Sequence, residues 1–488
     1  MKYSIPEKMG IKSSWIKEYI EVLENASLST HDVIIMRHDN IVFEKYWEPF
    51  SKDFLHRMYS VTKSFVSLAI GFLEQEGKIN LDDPIIKYFP DELKNQSDEN
   101  IKNQTIRHML MMSTAMTAKN WFNARIPDRV KYYFENDDIS RSSGTVFDYD
   151  STGSFVLGAL VERITKKPFM DYLREKCLDK IGFSKEAYML KCPEGHSWSD
   201  SALLCTAEDL LRAAMFCMHK GNWNGEQLLN EDYVTAATSK QIDNNFLGIN
   251  LCDTQGYGYK FWMTYDNSFF FNGMGCQFAV CVPDKDMILI YNGDNQGNVN
   301  APEIIIGSFF DKVVRKVQET ELLVNGEYDE LNKYTEGLKL FAAKGERKAD
   351  ICEKINGKTF KMDKNPMGIT KIKFTFDDNG GVFHYTNAQG DKEIPFGMCE
   401  NVFSEFPQEG YSDEIGSQKS NKLYKCAVSA AWVSDYQLFI KVQIIDTYFG
   451  ILNINAGFND NKIGVYMNKS AEDFLDEYVG FAGGECEK

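Results

Sequence analysis

Tyr59-Ser60-Val61-Thr62-Lys63-Ser64-Phe65 opens a run in which Phe65, Val66, Leu68, Ala69, Ile70, Phe72 and Leu73 follow at helical spacing, ended by Gly77. The apolar positions cover most of a helix surface and a glycine stands where a C-terminal cap is expected, which predicts a helix over Thr62 to Glu76 buried on nearly every side. At its start Ser60 and Lys63 lie one turn apart on one face, a hydroxyl beside an amine. Such a pair suits acyl transfer when burial keeps the amine neutral, because the amine then takes the hydroxyl proton and the helix N-terminus favours the developing oxyanion. The pattern Ser-x-x-Lys also occurs at Ser14-Lys17, in a polar helix candidate whose exposed lysine stays protonated at neutral pH. Taken alone, the competing reading makes Ser60 a helix cap and Lys63 a snorkelling surface residue.

Upstream of this helix, Asp32 to Met36 and Ile41 to Trp47 read as an antiparallel hairpin turning at Arg37-His38-Asp39-Asn40. Downstream, from about residue 81 to 221, helices and loops dominate, including Thr105 to Met112, Ser154 to Lys166 and Thr206 to His219. Strand signals return at Tyr257 to Trp262, Ser268 to Phe271, Gln277 to Val282 and Met287 to Tyr291, and a helix is expected over Ala301 to Val317. Strands at both ends with helices between them imply an α/β (α+β) domain over 1–320: one antiparallel sheet flanked by helices, with an inserted helical subdomain and a cleft between them. Residues 321–354 read as a helical connector, and 355–488 as a separate β-rich domain with strands such as Lys371 to Phe376, Val382 to Tyr385, Leu438 to Ile445 and Gly450 to Ala456.

The bulk numbers narrow the function. A chain of 488 residues exceeds one ordinary core, in keeping with more than one domain. A net charge of −17, from 71 acidic against 54 basic residues, repels phosphate backbones and anionic membranes, so no nucleic-acid or membrane partner is expected. The strongest apolar run, Phe65 to Leu73, is too short to span a bilayer, and Met1 to Gly10 lacks the pattern of an export signal. Eleven cysteines without a Cys-x-x-Cys pair fit reduced thiols in a cytoplasm. No His-Glu-x-x-His helix, Gly-x-Ser-x-Gly elbow or phosphate loop occurs, so no metal or cofactor is expected, and neither an α/β-hydrolase nor a nucleotide enzyme is indicated.

Three blocks in order, Tyr59 to Phe65, Gly77-Lys78-Ile79-Asn80-Leu81-Asp82-Asp83-Pro84 and Thr105-Ile106-Arg107-His108-Met109-Leu110, resemble the β-lactamase-related serine hydrolases. That group comprises class C β-lactamases, penicillin-binding-protein-like D-peptidases, family VIII esterases and 6-aminohexanoate-dimer hydrolases. The likeness continues through Thr206 to Leu210, Gly256 to Tyr259 and Val282 to Asp286, roughly Ile5 to Val317, and leaves the C-terminal domain outside.

The resemblance implies further site residues. The family's Tyr-x-Asn element falls at Tyr149-Asp150-Ser151, 89 residues after Ser60, with serine in place of asparagine. Tyr149 would relay a proton to the leaving group, and Ser151 would hydrogen-bond substrate. Serine there is similar to the esterase and 6-aminohexanoate-dimer hydrolase branch and argues against β-lactam specialisation. The family's Lys-Thr-Gly or His-x-Gly edge strand corresponds to Phe271-Asn272-Gly273-Met274-Gly275-Cys276-Gln277, with no lysine or histidine to hold a substrate carboxylate. Gly273, Met274, Gly275 and Cys276 would line the substrate, with an N–H near Cys276 joining that of Ser60 as an oxyanion hole and the Cys276 thiol inert. The expectation is therefore a Ser60 acyl-enzyme acting on a small ester or amide. The alternatives are a D-amino acid or ω-amino acid amidase or peptidase, and a non-catalytic sensor of acyl ligands. Which of Lys63 and Tyr149 is the main base stays open, as does the oligomeric state.

Overall fold

The structure, a computed structural model, describes residues 1–92, 98–117, 126, 128–136, 138–192, 194–247, 250–409, 422–472 and 474–487. It divides into two compact units, Met1–Lys339 and Leu340–Lys488. The division falls inside the expected connector, which carries the helices Glu327–Thr335 and Ile351–Ile355.

In the first unit a seven-stranded sheet runs in the order Lys2–Tyr3, Asn40–Tyr46, Thr30–Arg37, Met287–Gly293, Gln277–Val282, Ser268–Gly273, Trp262–Thr264. The expected hairpin and the two ends of the domain thus meet in one sheet, antiparallel at every pairing except that of Lys2–Tyr3. Thr30–Arg37 and Met287–Gly293 are buried at every position, which explains the continuous rather than alternating apolar runs Val33 to Met36 and Met287 to Tyr291 within them. Val33, Ile35 and Leu289 point into a core shared with Ile16, Tyr19 and Ile20 of the helix Ser13–Asn25 and with Phe309 and Phe310. The helix Ala207–Met218 packs on Gln277–Val282 and Met287–Gly293.

The diagnostic helix spans Thr62–Gln75, buried from Thr62 to Leu73, and packs against the helices Ser151–Thr165 and Glu231–Ala237. Gly71 permits the second contact: a Cβ there would lie 2.4 Å from the Tyr233 ring, whose hydroxyl donates to the Ser67 carbonyl oxygen. Residues 81–221 are not purely helical, since Tyr188–Met189 and Leu203–Cys205 form a small sheet with His56–Arg57. This pairing sets the backbone just ahead of Ser60.

Three expected elements differ. The helix after Tyr149 starts at Ser151 rather than Ser154, because the Asp150 carboxylate accepts from the Gly153 N–H at 3.0 Å and caps it. The strand expected over Tyr257 to Trp262 lies instead at Trp262–Thr264, and Tyr257 makes only isolated bridges; Lys260 takes a left-handed backbone with φ of 66°, which turns the chain before it extends. The helix expected over Ala301 to Val317 is broken into a π-type turn at Glu303–Gly307, an α-helix at Ser308–Lys312 and a 3-10 turn at Val314–Lys316. There the Ser308 hydroxyl donates back to the Ile304 carbonyl, competing with the helix ladder.

The second unit is a ten-stranded barrel, from Gly390–Met398 through Gly380–Asn387, Lys371–Phe376, Thr359–Met362, Gly480–Cys486, Lys462–Ala471, Phe449–Asn459, Gln437–Ile445 and Lys425–Ser434 to Val402–Glu405. It closes where Gly397 and Met398 pair with Ser429 and Ala430. Phe360, Phe374, Trp432 and Phe458 pack in its buried interior. The first unit thus mixes helices and sheets as the resemblance implied, and the second is β-rich.

Candidate active site

Ser60 lies in a single turn, Tyr59–Val61, that leads into the buried helix, and Tyr59 before it is held left-handed with φ of 44°. The helix has no side-chain cap, so the Ser60 hydroxyl is not spent on capping. Lys63 is 1% exposed and does not snorkel to the surface. Its Nζ donates to Ser60 Oγ at 2.9 Å and to the Asp200 carbonyl oxygen at 2.7 Å. The Asp200 contact fixes the amine's direction, since an unbranched four-carbon stem alone would not. The Asp200 carboxyl is fully buried; burial raises its pKa, opposed by the charges of Lys63 and Arg57.

Tyr149 reaches the same place from the turn before the helix Ser151–Thr165. Lys63 Nζ lies 5.2 Å from the centre of its ring, and the ring packs 5.7 Å from Trp262. Ser151 is the first residue of that helix and is half-buried. Because Asp150 performs the capping, the Ser151 hydroxyl is not consumed by the helix end.

The strand Ser268–Gly273 closes another side. A Cβ on Gly273 would sit 2.3 Å from the Met58 carbonyl oxygen and 3.3 Å from Val61 Cγ2, so only glycine lets the strand end meet the Ser60 turn. Met274 is half-buried in the following turn, where Gly275 and Cys276 are both left-handed, with φ of 75° and 73°. The Cys276 N–H donates to the Gly273 carbonyl at 3.1 Å within this turn. The Cys276 thiol is buried, and desolvation beside Asp294 pushes its pKa up, which keeps it protonated.

Sequence reasoning missed Lys260. It is 2% exposed, its Nζ donates to Met112 Sδ at 3.2 Å, and burial pushes its pKa down to about 7 against the pull of Asp150 and with a further push from Lys63. The segment Gly256 to Tyr259 had drawn notice, but nothing local marks the next residue as buried. Among the described residues, no group of three or more His, Cys, Asp or Glu side chains could hold a metal, and no helix is long and apolar enough to cross a membrane.

With Ser60, Lys63 and Tyr149 gathered at one end of the central helix, comparison with known proteins decides the family. A beta-lactamase family model matches residues 23–302, more than half of the 488. The chain belongs to that beta-lactamase family. As a beta-lactamase-family protein it carries that family's fold. It is 23% identical over 219 residues to the 6-aminohexanoate-dimer hydrolase of Paenarthrobacter ureafaciens, covering 42% of this chain and 56% of that one. It is 26% identical over 143 residues to Protein flp of Staphylococcus aureus, covering 27% and 28%. The chain therefore spans little more than half the length of one of these curated relatives and about a quarter of the other. Among solved structures, a Bacillus anthracis protein provisionally named a 6-aminohexanoate-dimer hydrolase superposes with a TM-score of 0.52 at 19% identity, over 60% of this chain and 80% of its own. EstCE1, described as a hydrolase with promiscuous acyltransferase activity, superposes at 0.50 and 14% identity, over 61% and 98%. At these identities the structural matches speak for the fold of this beta-lactamase-family member.

Proposed function

We propose that this protein is a serine hydrolase that cleaves an ester or amide bond of a small molecule through an acyl-enzyme on Ser60. The observation that carries the reading is the 2.9 Å hydrogen bond between a buried lysine amine and a serine hydroxyl that no cap consumes. Lys63 accepts the Ser60 proton as Oγ bonds to the substrate carbonyl carbon. The tetrahedral oxyanion is received by the N–H groups of Ser60 and Met274, the Cys276 N–H being bonded to the Gly273 carbonyl. As the intermediate collapses, the bond to the leaving alcohol or amine breaks and a proton passes to it through Tyr149. Water then adds to the acyl carbon, gives its proton back through the same groups, and the acid leaves with Ser60 restored. No step calls for a cofactor. The cysteines, all free, suit a reducing cytoplasmic setting.

The ω-amino acid amide reading keeps a place because a curated relative is a 6-aminohexanoate-dimer hydrolase. Relative rates on p-nitrophenyl acetate and butyrate and on the linear dimer of 6-aminohexanoate separate the two. The primary test is intact-mass labelling with a fluorophosphonate. One adduct is expected on Ser60, with ester turnover reduced on the order of 10⁴-fold or more in Ser60→Ala and Lys63→Ala and about 10²-fold in Tyr149→Phe. No adduct and no turnover in the wild type would replace this reading with that of an acyl-ligand sensor.

A further inference from the structure

The turn that supplies the Met274 N–H is held by a side chain with no part in the scheme above. Gln277, the first residue of the strand Gln277–Val282, is fully buried, and its Nε2 donates to the Met274 carbonyl at 3.0 Å and to the Gly293 carbonyl at 2.6 Å. Two carbonyl acceptors demand the NH2 end of the amide, which fixes its orientation. Gly293 ends the strand Met287–Gly293 in the middle of the sheet, and the next residue is anchored in turn, the Asp294 N–H donating to the Ser29 carbonyl at 2.9 Å. Gln277 thus ties the turn to the centre of the sheet. Gly275 leaves room for this: a Cβ there would lie 3.1 Å from Gln277 Nε2 and 3.1 Å from the Gly293 carbonyl oxygen.

The bonds around Met274 fix both of its peptide planes. The Cys276 N–H holds the Gly273 carbonyl at 3.1 Å, and in a trans peptide the Met274 N–H points the opposite way. Gln277 holds the carbonyl on the other side of Met274. Among the described residues the Met274 N–H has no acceptor of its own. Gln277 Oε1, though buried, also accepts no hydrogen bond among them. A buried amide left half-satisfied is a poor choice for stability alone, because an apolar side chain would fill the same space with no polar atom to desolvate.

We propose that Gln277 is a positioning residue for the oxyanion: by clamping the Met274 carbonyl to the end of the central strand, it keeps the Met274 N–H aimed at the substrate oxygen as charge develops there. The inference rests on the Ser60 acyl-enzyme reading. A donor fixed in advance acts on the transition state more than on bound substrate, so loosening it lowers kcat and leaves KM nearly in place.

The test compares p-nitrophenyl acetate with p-nitrophenyl thionoacetate, in which sulfur replaces the carbonyl oxygen. Sulfur is larger and a weaker acceptor, so a hole built rigidly for oxygen favours the ester. A partly unfolded variant loses both rates equally, which makes the ester-to-thionoester ratio of kcat/KM a readout that a merely structural role does not move. Gln277→Met keeps the length of the side chain without its donors. It is expected to lower kcat for the ester about 10-fold or more, with KM within about two-fold of wild type and the ratio falling by a similar factor to kcat. Gln277→Glu, held protonated by burial, retains one hydrogen to donate and is expected to fall between Gln277→Met and wild type. If Gln277→Met fails to fold, Gln277→Glu decides by the same ratio. An unmoved ratio, or a change confined to KM, overturns the role of Gln277 alone. Absence of both ester turnover and a Ser60 adduct in the wild type overturns the Ser60 reading and this inference with it.

Discussion

The two units treat buried polarity in opposite ways. In the first, Arg57, Lys63, Asp150, Asp200 and Lys260 are withdrawn from water around the start of one helix, and His31, Asp32 and His56 are buried elsewhere in the same unit. In the second, the buried polar side chains among the described residues are Gln408, Ser429, Gln443 and Thr447, all uncharged, amid aromatic rings. Burying ionisable groups is expensive and buys nothing for a fold that apolar residues could hold as well. On the proposed reading, the contrast separates a unit that gives up stability for chemistry from one whose interior is organised for packing.

That contrast can be broken from the packing side first. Trp432 is 1% exposed and its ring contacts Phe376 and Phe458. Trp432→Ala should destabilise the barrel by about 3–5 kcal/mol, read as a lower denaturation midpoint by tryptophan-independent circular dichroism. A loss below about 1 kcal/mol would mean that the barrel interior is loosely filled and the comparison overdrawn.

The first unit should respond in the reverse direction. Lys260 is charged in the unfolded chain up to its ordinary value of 10.5, and in the folded chain it gives up its proton at about 7. Folding therefore loses nothing on its account above about pH 10.5, loses progressively more as pH falls towards 7, and loses a constant amount below that. Lys260→Met should raise stability on the order of 2 kcal/mol at pH 7, with the gain shrinking towards pH 10, checked by thermal or urea unfolding at both values. A destabilised Met variant would show the amine to be held by stronger partners than Met112.

What was legible in the sequence follows from how local each signal is. The helix Thr62–Gln75 with Ser60 and Lys63 was readable because apolar spacing, one turn of separation and the cap at Gly77 are all near-neighbour properties. The sheet was readable because Val33 to Met36 and Met287 to Tyr291, within strands buried on both faces, are short unbroken apolar runs. The start of the Ser151–Thr165 helix was missed although Asp150, which caps it through the Gly153 N–H, stands just ahead of it in the sequence. Lys260 and the committed N–H of Cys276 were not legible at all. Both depend on left-handed turns and on which carbonyl or sulfur the folded chain brings near, and no pattern in the sequence encodes that.

The smallest expected effect tests whether the first unit's site extends to substrate recognition. Ser151 stands where the resemblance led one to expect asparagine, and among the described residues its hydroxyl makes no hydrogen bond within the chain. Asp150 holds the helix end, so removing this hydroxyl should leave stability within about 0.5 kcal/mol of wild type. One neutral hydrogen bond to substrate contributes about 1 kcal/mol, which is roughly a five-fold rise in KM for Ser151→Ala with kcat little changed. A Ser151→Asn variant, with an amide that both donates and accepts, should instead shift preference towards amide-bearing acyl groups, measured as the ratio of kcat/KM for N-acylaminoacyl and simple acyl esters. If neither variant moves KM or that ratio, Ser151 belongs to the helix alone, and recognition in this site must come from the Gly273-Met274 side.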